Sequence, residues 1–207
     1  MSEILRRIGQ VIITQVQPSG LIIKTPSGYI YDPSWRVEVP QLFLTQQGIE
    51  AETPQGERII DIHHAAHTDT HNEGDNAISI GFTSHYAQMR ARFGEHMQDG
   101  TAGENIIIAS EEQVWLDDLG QQIIIQDPNR ERQVVLDVIQ FAAPCEEFSH
   151  YAANSQGERL PAEELKATLQ FLGDGRRGFL LNLNVNQEPA LVKPGDLVFA
   201  VATDGSS

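Results

Sequence analysis

In a chain of 207 residues, the side chains best equipped for chemistry are a single cysteine, a run of histidines and two pairs of arginines. Cys145 stands in "APCEEF", directly after Pro144. Proline cannot donate to a strand ladder, so the apolar run "RQVVLDVIQF" ends before it and Cys145 falls where an extended segment turns. Strand ends and loops are where reactive groups are mounted on a rigid β scaffold. As a thiolate, the sulfur could act as a nucleophile or as a ligand to a soft metal, and either role needs positive charge nearby. Glu146 and Glu147 work against that. Without such charge, a lone cysteine reads as a small buried apolar residue.

Positive charge is scarce, because 29 acidic residues face 14 basic ones for a formal net charge of -15. Two segments supply it. "GDGRRGF" sets Arg176 and Arg177 between Gly175 and Gly178, and "MRARFG" carries Arg90 and Arg92. Glycine lets backbone N–H groups approach a ligand and arginine offers a fixed donor fork, so an anion site is one reading and a solvated turn the other. In "GTAGENIII", Gly100 and Gly103 precede Glu104 and Asn105 at the mouth of a strand.

Four histidines, His63, His64, His67 and His71, share "DIHHAAHTDTHNEGD" with Asp61, Asp69, Glu73 and Asp75. On a helix, His63, His67 and His71 would lie on one face and could bind zinc. The preceding "RIIDI" reads as a strand and the remainder as a loop, so a polar loop with one histidine, His64, lining a ligand pocket is the favoured reading. Zinc is not expected.

These groups need a scaffold. Ten short stretches rich in Val and Ile and punctuated by Gly, Pro, Asn and Asp read as strands: "RIGQVIITQV", "GLIIKTP", "RVEVPQLFLT", "ERIIDIHH", "AISIGF", "ENIIIAS", "QQIIIQD", "RQVVLDVIQF", "GFLLNLNV" and "DLVFAVAT". Two stretches have helical period. In "TSHYAQMRARFG", Tyr86, Met89 and Phe93 share a face, with Thr83 or Ser84 as N-cap and Gly94 as stop; in "PAEELKATLQFLGDG", Ala162, Leu165, Leu169 and Leu172 do, between Pro161 and Gly173. The expected fold is mainly β, barrel-like, with a few marginal helices, in a single domain over residues 1–207. The acidic balance excludes a clustered basic surface for nucleic acid or an anionic membrane, and no run approaches the ~20 apolar residues of a membrane span. A lone cysteine forms no internal disulfide and the N-terminus has no signal-peptide pattern, which together predict a cytoplasmic protein.

The order "RFG…DGTAGENI", "APCEEF", "GRRGFLL", "VKPGDLVF", with "ISIGFTSHYAQMRARFG" upstream, resembles the MOSC domain, named for the C-terminal domain of molybdenum-cofactor sulfurases. The resemblance spans roughly residues 60–200, with residues 1–59 adding N-terminal strands. It implies a β-barrel-like domain that binds the pterin-based molybdenum cofactor or carries sulfur on its cysteine. In members that reduce N-hydroxylated compounds, the corresponding cysteine is a thiolate ligand to molybdenum, and Cys145 inherits that metal-binding, catalytic place. Gly103, Glu104, Asn105, Arg176, Arg177 and Gly178 inherit places at the cofactor, with His64, Arg90 and Arg92 as further candidates. The chain departs from the family where many members have His-Gly-Gly and a lysine: His63 and His64 are followed by Ala65 and Ala66, and Asn76 stands where lysine is common. The redox domains that often accompany the module are absent, which implies a separate electron-donor protein and a small-molecule substrate such as an N-hydroxylated nucleobase. Two alternatives stay open: a sulfur carrier holding a persulfide on Cys145, served by a sulfur-donor protein, and a noncatalytic binding domain or divalent-metal site at the histidine cluster. Pyridoxal phosphate is not expected, and the sequence does not indicate the oligomeric state.

Tag-free protein is expected to carry less than one equivalent of zinc by elemental analysis; one tightly held zinc, lost in His67→Ala, would establish a histidine metal site instead.

Overall fold

The computed structural model describes residues 4–26, 28–70, 72, 74–155 and 158–202. A long strand β1 (Ile4–Val16) leads into a hairpin, β2 (Ile22–Thr25) and β3 (Gly28–Tyr31), and then a 3-10 turn, Pro33–Trp35. Four short strands follow: β4 (Val37–Glu38), β5 (Leu42–Thr45), β6 (Gly48–Glu52) and β7 (Arg58–Ile60). Next come β8 (Ile78–Phe82), helix α1 (Thr83–Phe93), β9 (Ile106–Ala109), the one-turn helix α2 (Leu116–Leu119), β10 (Gln122–Gln126) and β11 (Gln133–Phe141). Helices α3 (Glu146–Ala152) and α4 (Ala162–Leu172) precede β12 (Phe179–Leu183), β13 (Ala190–Val192) and β14 (Leu197–Ala202).

Seven strands close into a barrel in the order β14-β10-β11-β12-β8-β9-β1, with β1 pairing back to β14. All of these ladders are antiparallel except β8–β9, whose parallel pairing needs the crossover that α1 supplies. Strand β1 serves two neighbours, β14 through its first half and β9 through its second, and breaks register at Arg7/Gly9 and Val11/Ile13. Such bulges bend a strand, which is what closing a sheet on itself demands. Beside the barrel lies a four-stranded sheet, β13-β5-β6-β7.

Period-2 alternation divides the isoleucines of β9 between two cores. Ile106 and Ile108 enter the larger cluster with Ile80, Phe82, Ile123, Ile125, Leu136, Phe179 and Val198. Ile107 joins a second cluster in which Tyr86 and Met89 of α1, Phe148 and Ala152 of α3, and Leu172 of α4 pack with Tyr31. The helices therefore cover one side of the barrel, and Cys145 sits partly buried at the edge of that second cluster.

Each of the ten strand-like stretches contains a strand, and both periodic segments are helices. "RVEVPQLFLT" is cut into β4 and β5 around Pro40. The N-cap of α1 differs from the expectation. Phe82 occupies that position without a side-chain bond, because Thr83 Oγ1 accepts from the Ser110 N–H at 3.1 Å and Ser84 Oγ meets Ser110 Oγ at 2.8 Å. Both hydroxyls are used to tie the start of α1 to the residue after β9. No helix among the described residues is long and apolar enough to cross a membrane.

Gly178, just before β12, has φ +101, and a Cβ there would lie 2.5 Å from the Ile80 carbonyl oxygen and 2.7 Å from Glu104 Cγ. Gly195 has a similar φ of +99 with nothing within 4 Å. Gly195→Ala is expected to cost about 1 kcal/mol from backbone strain, whereas Gly178→Ala adds an overpacking cost of about 2 kcal/mol. Urea denaturation of the two variants checks this; equal losses would mean that the Gly178 turn relaxes freely.

Candidate functional site

Strand β11 ends at Phe141, and the Ala142 N–H still donates to the Gly178 carbonyl at 2.9 Å, so the two chain segments stay together past the end of the ladder. Cys145 then adopts an extended conformation and starts α3, its carbonyl accepting from the Ser149 N–H at 3.1 Å and the Ser149 hydroxyl at 2.8 Å. The two glutamates that follow belong to the first turn of α3. Glu146 is exposed and lies 3.5 Å from His150 Nε2 one turn along, so its charge is directed at the helix surface.

The neighbouring arginines part company. Arg177 Nη1 donates to the Ala143 carbonyl at 2.5 Å and its guanidinium lies 5.3 Å from the Phe148 ring centre. It thereby holds the chain on both sides of Cys145. Arg176 instead donates to Gln88 Oε1 at 2.8 Å and the Phe171 carbonyl at 3.0 Å while stacking on Trp115 and Phe171. Near that cluster His85 is fully buried against Phe82, Trp115 and Phe179, and burial pushes its pKa down to about 4, so the ring is neutral.

Glu104 is the second chemically notable group. It is 3 % exposed. Its carboxyl fits between Gly81, where a Cβ would lie 2.4 Å from Oε1, and Gly178. Oε2 accepts from the Tyr86 hydroxyl at 2.5 Å, which itself accepts from the Ala102 N–H at 2.9 Å; Oε1 is buried without a hydrogen-bond partner. Burial raises the Glu104 pKa to about 7, against the lowering effect of the Tyr86 bond and the charges of Arg177 and Arg36. Tyr31, whose hydroxyl donates to the Thr101 carbonyl at 2.8 Å, feels the charges of Arg177, Glu104, Arg36 and Cys145 together, and burial holds it protonated. These five residues form one electrostatic neighbourhood. The sequence pointed to three of them; Tyr31 and Arg36 carried no motif that would have singled them out.

The remaining candidates are engaged within the protein. Asn105 Oδ1 accepts from the Ser79 N–H at 3.0 Å and hydroxyl at 2.9 Å, and its Nδ2 donates to Asp61 Oδ2 at 2.8 Å. Arg90 pairs with Asp99 at 2.7 Å, and Arg92 stacks on Phe171 while donating to the Ala167 carbonyl of α4. His63 Nδ1 faces Asp61 Oδ1 at 2.8 Å. Buried His64 accepts the Ala66 N–H at Nδ1 and sets Nε2, which makes no hydrogen bond, 3.9 Å from Glu50 Oε1, while His67 Nε2 reaches the Pro18 carbonyl at 3.1 Å. These three histidines occupy turns and point to different partners, and His71 and Glu73 lie outside the described residues. Among the described residues no group of three His, Cys, Asp or Glu side chains is placed to hold a metal ion.

The family model of the MOSC domain matches residues 64–199, about two thirds of the chain and all of the elements that carry Cys145, Glu104 and Arg177. The chain belongs to the MOSC domain family. This family is associated with the molybdenum cofactor. Among solved structures, the YUAD protein from Bacillus subtilis aligns with 98% of this chain and 99% of its own at 13% identity and a TM-score of 0.53. A hypothetical protein aligns with 98% of this chain and 71% of its own at 16% identity and a TM-score of 0.55. YiiM from Escherichia coli aligns over 83% of this chain and 67% of its own at 16% identity and a TM-score of 0.49. For the first two, at these identities, the likeness shows the fold alone. No curated protein matches the chain.

The residues of this MOSC barrel fit the family's cofactor in kind. The thiolate of a partly buried cysteine suits a thiophilic metal, and Arg177, anchored on the Ala143 carbonyl two residues before it, suits an anionic group. The unpartnered Oε1 of Glu104 leaves one buried hydrogen-bonding position unused in the same neighbourhood.

Because the Glu104 pKa is about 7 in the folded state against 4.5 for the free group, the folded protein binds a proton more tightly than the unfolded chain. That contribution to stability is complete below pH 4.5 and is lost as pH rises through 7. Glu104→Gln keeps an acceptor for Tyr86 and removes the titration, so its stability relative to wild type should rise between pH 5 and pH 8 in urea denaturation; a pH-independent difference would place the carboxyl pKa near its ordinary value.

Proposed function

We propose that this chain binds the molybdenum cofactor with Cys145 as thiolate ligand, and that the loaded protein reduces N-hydroxylated nucleobases or similar small molecules with electrons from a separate donor protein. The observation that carries this reading is the Arg177 clamp: one guanidinium fixes the chain before and after a partly exposed cysteine while Glu146 turns to His150. When bound, the cofactor supplies a metal centre that exchanges electrons with the substrate. The chain's own residues supply position, charge and protons. Arg177 holds the chain at Ala143 and at Phe148, on either side of the sulfur, and its guanidinium would balance the charge of an anionic group bound there. Reducing an N-hydroxyl group to an amine and water consumes two electrons and two protons. Glu104, with its pKa near 7, can take up and release a proton at Oε1 in neutral solution.

A second reading rests on Cys145 as a free, partly buried cysteine whose flanking chain Arg177 anchors. On that reading the Cys145 thiolate attacks the outer sulfur of a persulfide on a donor protein, the donor's S–S bond breaks and its thiolate leaves, and Cys145 holds the transferred sulfur as a persulfide on the chain that Arg177 anchors.

One experiment distinguishes them. Protein made in a host that synthesises the cofactor is assayed for molybdenum, pterin and cyanolysable sulfur, in wild type and Cys145→Ser. Molybdenum near stoichiometry in wild type and at least ten-fold lower in the variant supports the first reading; cyanolysable sulfur lost without any molybdenum supports the second. Wild-type protein lacking both would overturn each.

A further inference from the structure

Strands β8 and β11 end at Phe82 and Phe141, and β12 begins at Phe179, at the same end of the barrel. Phe141 stands opposite Phe179 in the β11–β12 ladder, so the two side chains leave the sheet on one face. Phe179 is fully buried, whereas Phe141 is 38 % exposed. The apolar interior of the barrel therefore runs out to the surface at this mouth. Two further contacts carry it there. The buried His85 ring meets Phe82, Phe179 and Trp115, and Leu116 packs on the larger core.

Trp115, Leu116, Asp117, Phe141, Asp174 and Arg176 line a cavity of about 380 Å³ at the mouth. That volume is in the usual range for small-molecule sites, and barrel mouths are among the places where such sites form. Trp115 and Phe141 give it flat aromatic walls, which match a flat ring better than a branched aliphatic chain.

Charge decides which kind of ring. Asp117 and Asp174 are exposed and, among the described residues, enter no ion pair. Arg176 is held by neutral acceptors, Gln88 Oε1 and the Phe171 carbonyl, with the Trp115 and Phe171 rings 4.9 and 4.8 Å from its guanidinium. It is fixed and keeps its charge. A cation drawn by the carboxylates would meet the guanidinium, and an anion drawn by the guanidinium would meet two carboxylates. An uncharged ring avoids both penalties, and the carboxylate oxygens offer its N–H groups charged acceptors, which make the stronger hydrogen bonds.

We propose that the barrel mouth binds an uncharged aromatic heterocycle bearing an amino group, its ring against Phe141 and Trp115 and its N–H groups donated to Asp117 and Asp174. Arg176 faces this cavity while Arg177 holds the chain on either side of Cys145, so the site uses neither the cysteine nor its anchor. It holds with or without molybdenum.

The test is an NMR titration of full-length protein, made in a host without the cofactor, with adenine as the uncharged probe, benzamidine as the cation and benzoate as the anion, at neutral pH and equal ionic strength. The Trp115 indole N–H and the Phe141 amide report on the cavity. The other tryptophan, Trp35, lies on a 3-10 turn outside the cavity lining and serves as internal control. Saturable shifts at Trp115 and Phe141 with adenine, without a matching shift at Trp35, are expected, and the two charged probes should bind at least ten-fold more weakly. Phe141→Ala should weaken adenine binding about ten-fold and Cys145→Ser should leave it unchanged. Asp174→Asn should weaken it several-fold; Asp174 has φ +58, a conformation that asparagine also tolerates, so this variant keeps the turn. If Phe141→Ala does not fold, Phe141→Leu takes its place, with a several-fold loss expected. Equal affinity for all three probes, no saturable shift, or adenine binding unchanged in the Phe141 and Asp174 variants would overturn the site. Kinetics of molybdenum-loaded protein then distinguish its role: a KM for an N-hydroxylated base raised by Phe141→Ala makes the mouth the substrate's place, and unchanged kinetics make it the place of a second ligand. Adenine binding in protein that never acquires molybdenum would leave the site standing while the proposed function fails.

Discussion

Asp61 is a carboxylate with no exposed surface, and the arrangement around the candidate site depends on how its charge is accommodated. Burying an ion without partners costs several kcal/mol, so the fold must bring it donors. Four N–H groups converge: the Gln17 N–H and Asn105 Nδ2 on Oδ2, the His63 N–H and Nδ1 on Oδ1. They come from the chain just after β1, from the mouth of β9 and from the turn after β7. Three segments far apart in sequence are thus tied at one point. The tie fixes Asn105, and Asn105 fixes the turn that ends in it, which Gln15 and Gln17 also hold through the Gly100, Gly103 and Glu104 carbonyls. Glu104 is then left with one direction for its side chain, into the slot that Gly81 and Gly178 keep open.

Charge is organised around this scaffold with economy. Glu146 faces His150, and the buried acid nearest the site is the one whose pKa burial raises to about 7. The two arginines whose charges reach both Tyr31 and Glu104, Arg177 and Arg36, are both held by neutral oxygens. A guanidinium bound to a carbonyl keeps its full charge available, whereas one bound to a carboxylate does not. The neighbourhood accordingly holds two guanidinium groups that, among the described residues, pair with no carboxylate.

Much of the scaffold was legible in the sequence. Strands such as "ENIIIAS" and "QQIIIQD" are bounded by turn residues and made of β-branched residues, and α1 and α4 carry a helical period, because both signals are local. Strand β6, "GIEAE", and helix α3, "EEFSHYA", carry no such signal. The first is rich in residues with low β propensity and is held by ladders to β5 and β7; the second is too short to display a period. Of the site, the sequence marked Cys145, Glu104 and Arg177 through the order of their motifs. It could not separate Arg177 from Arg176, adjacent residues of one turn that end 2.5 Å from Ala143 and 2.8 Å from Gln88 respectively.

By itself, then, the sequence determined the type and order of the elements and the family to which they belong, because hydrophobic period, proline and glycine act over a few residues. Only the tertiary structure decided which side chains meet. Arg36, Thr101 and Tyr151 share a cleft, and Asp61 reaches Gln17 and Asn105, each 44 positions away, because barrel closure brings distant segments together. Nothing in the local pattern of any one of those segments records its partners; the need to satisfy buried charge and hydrogen bonds selects them once the chain has closed on itself.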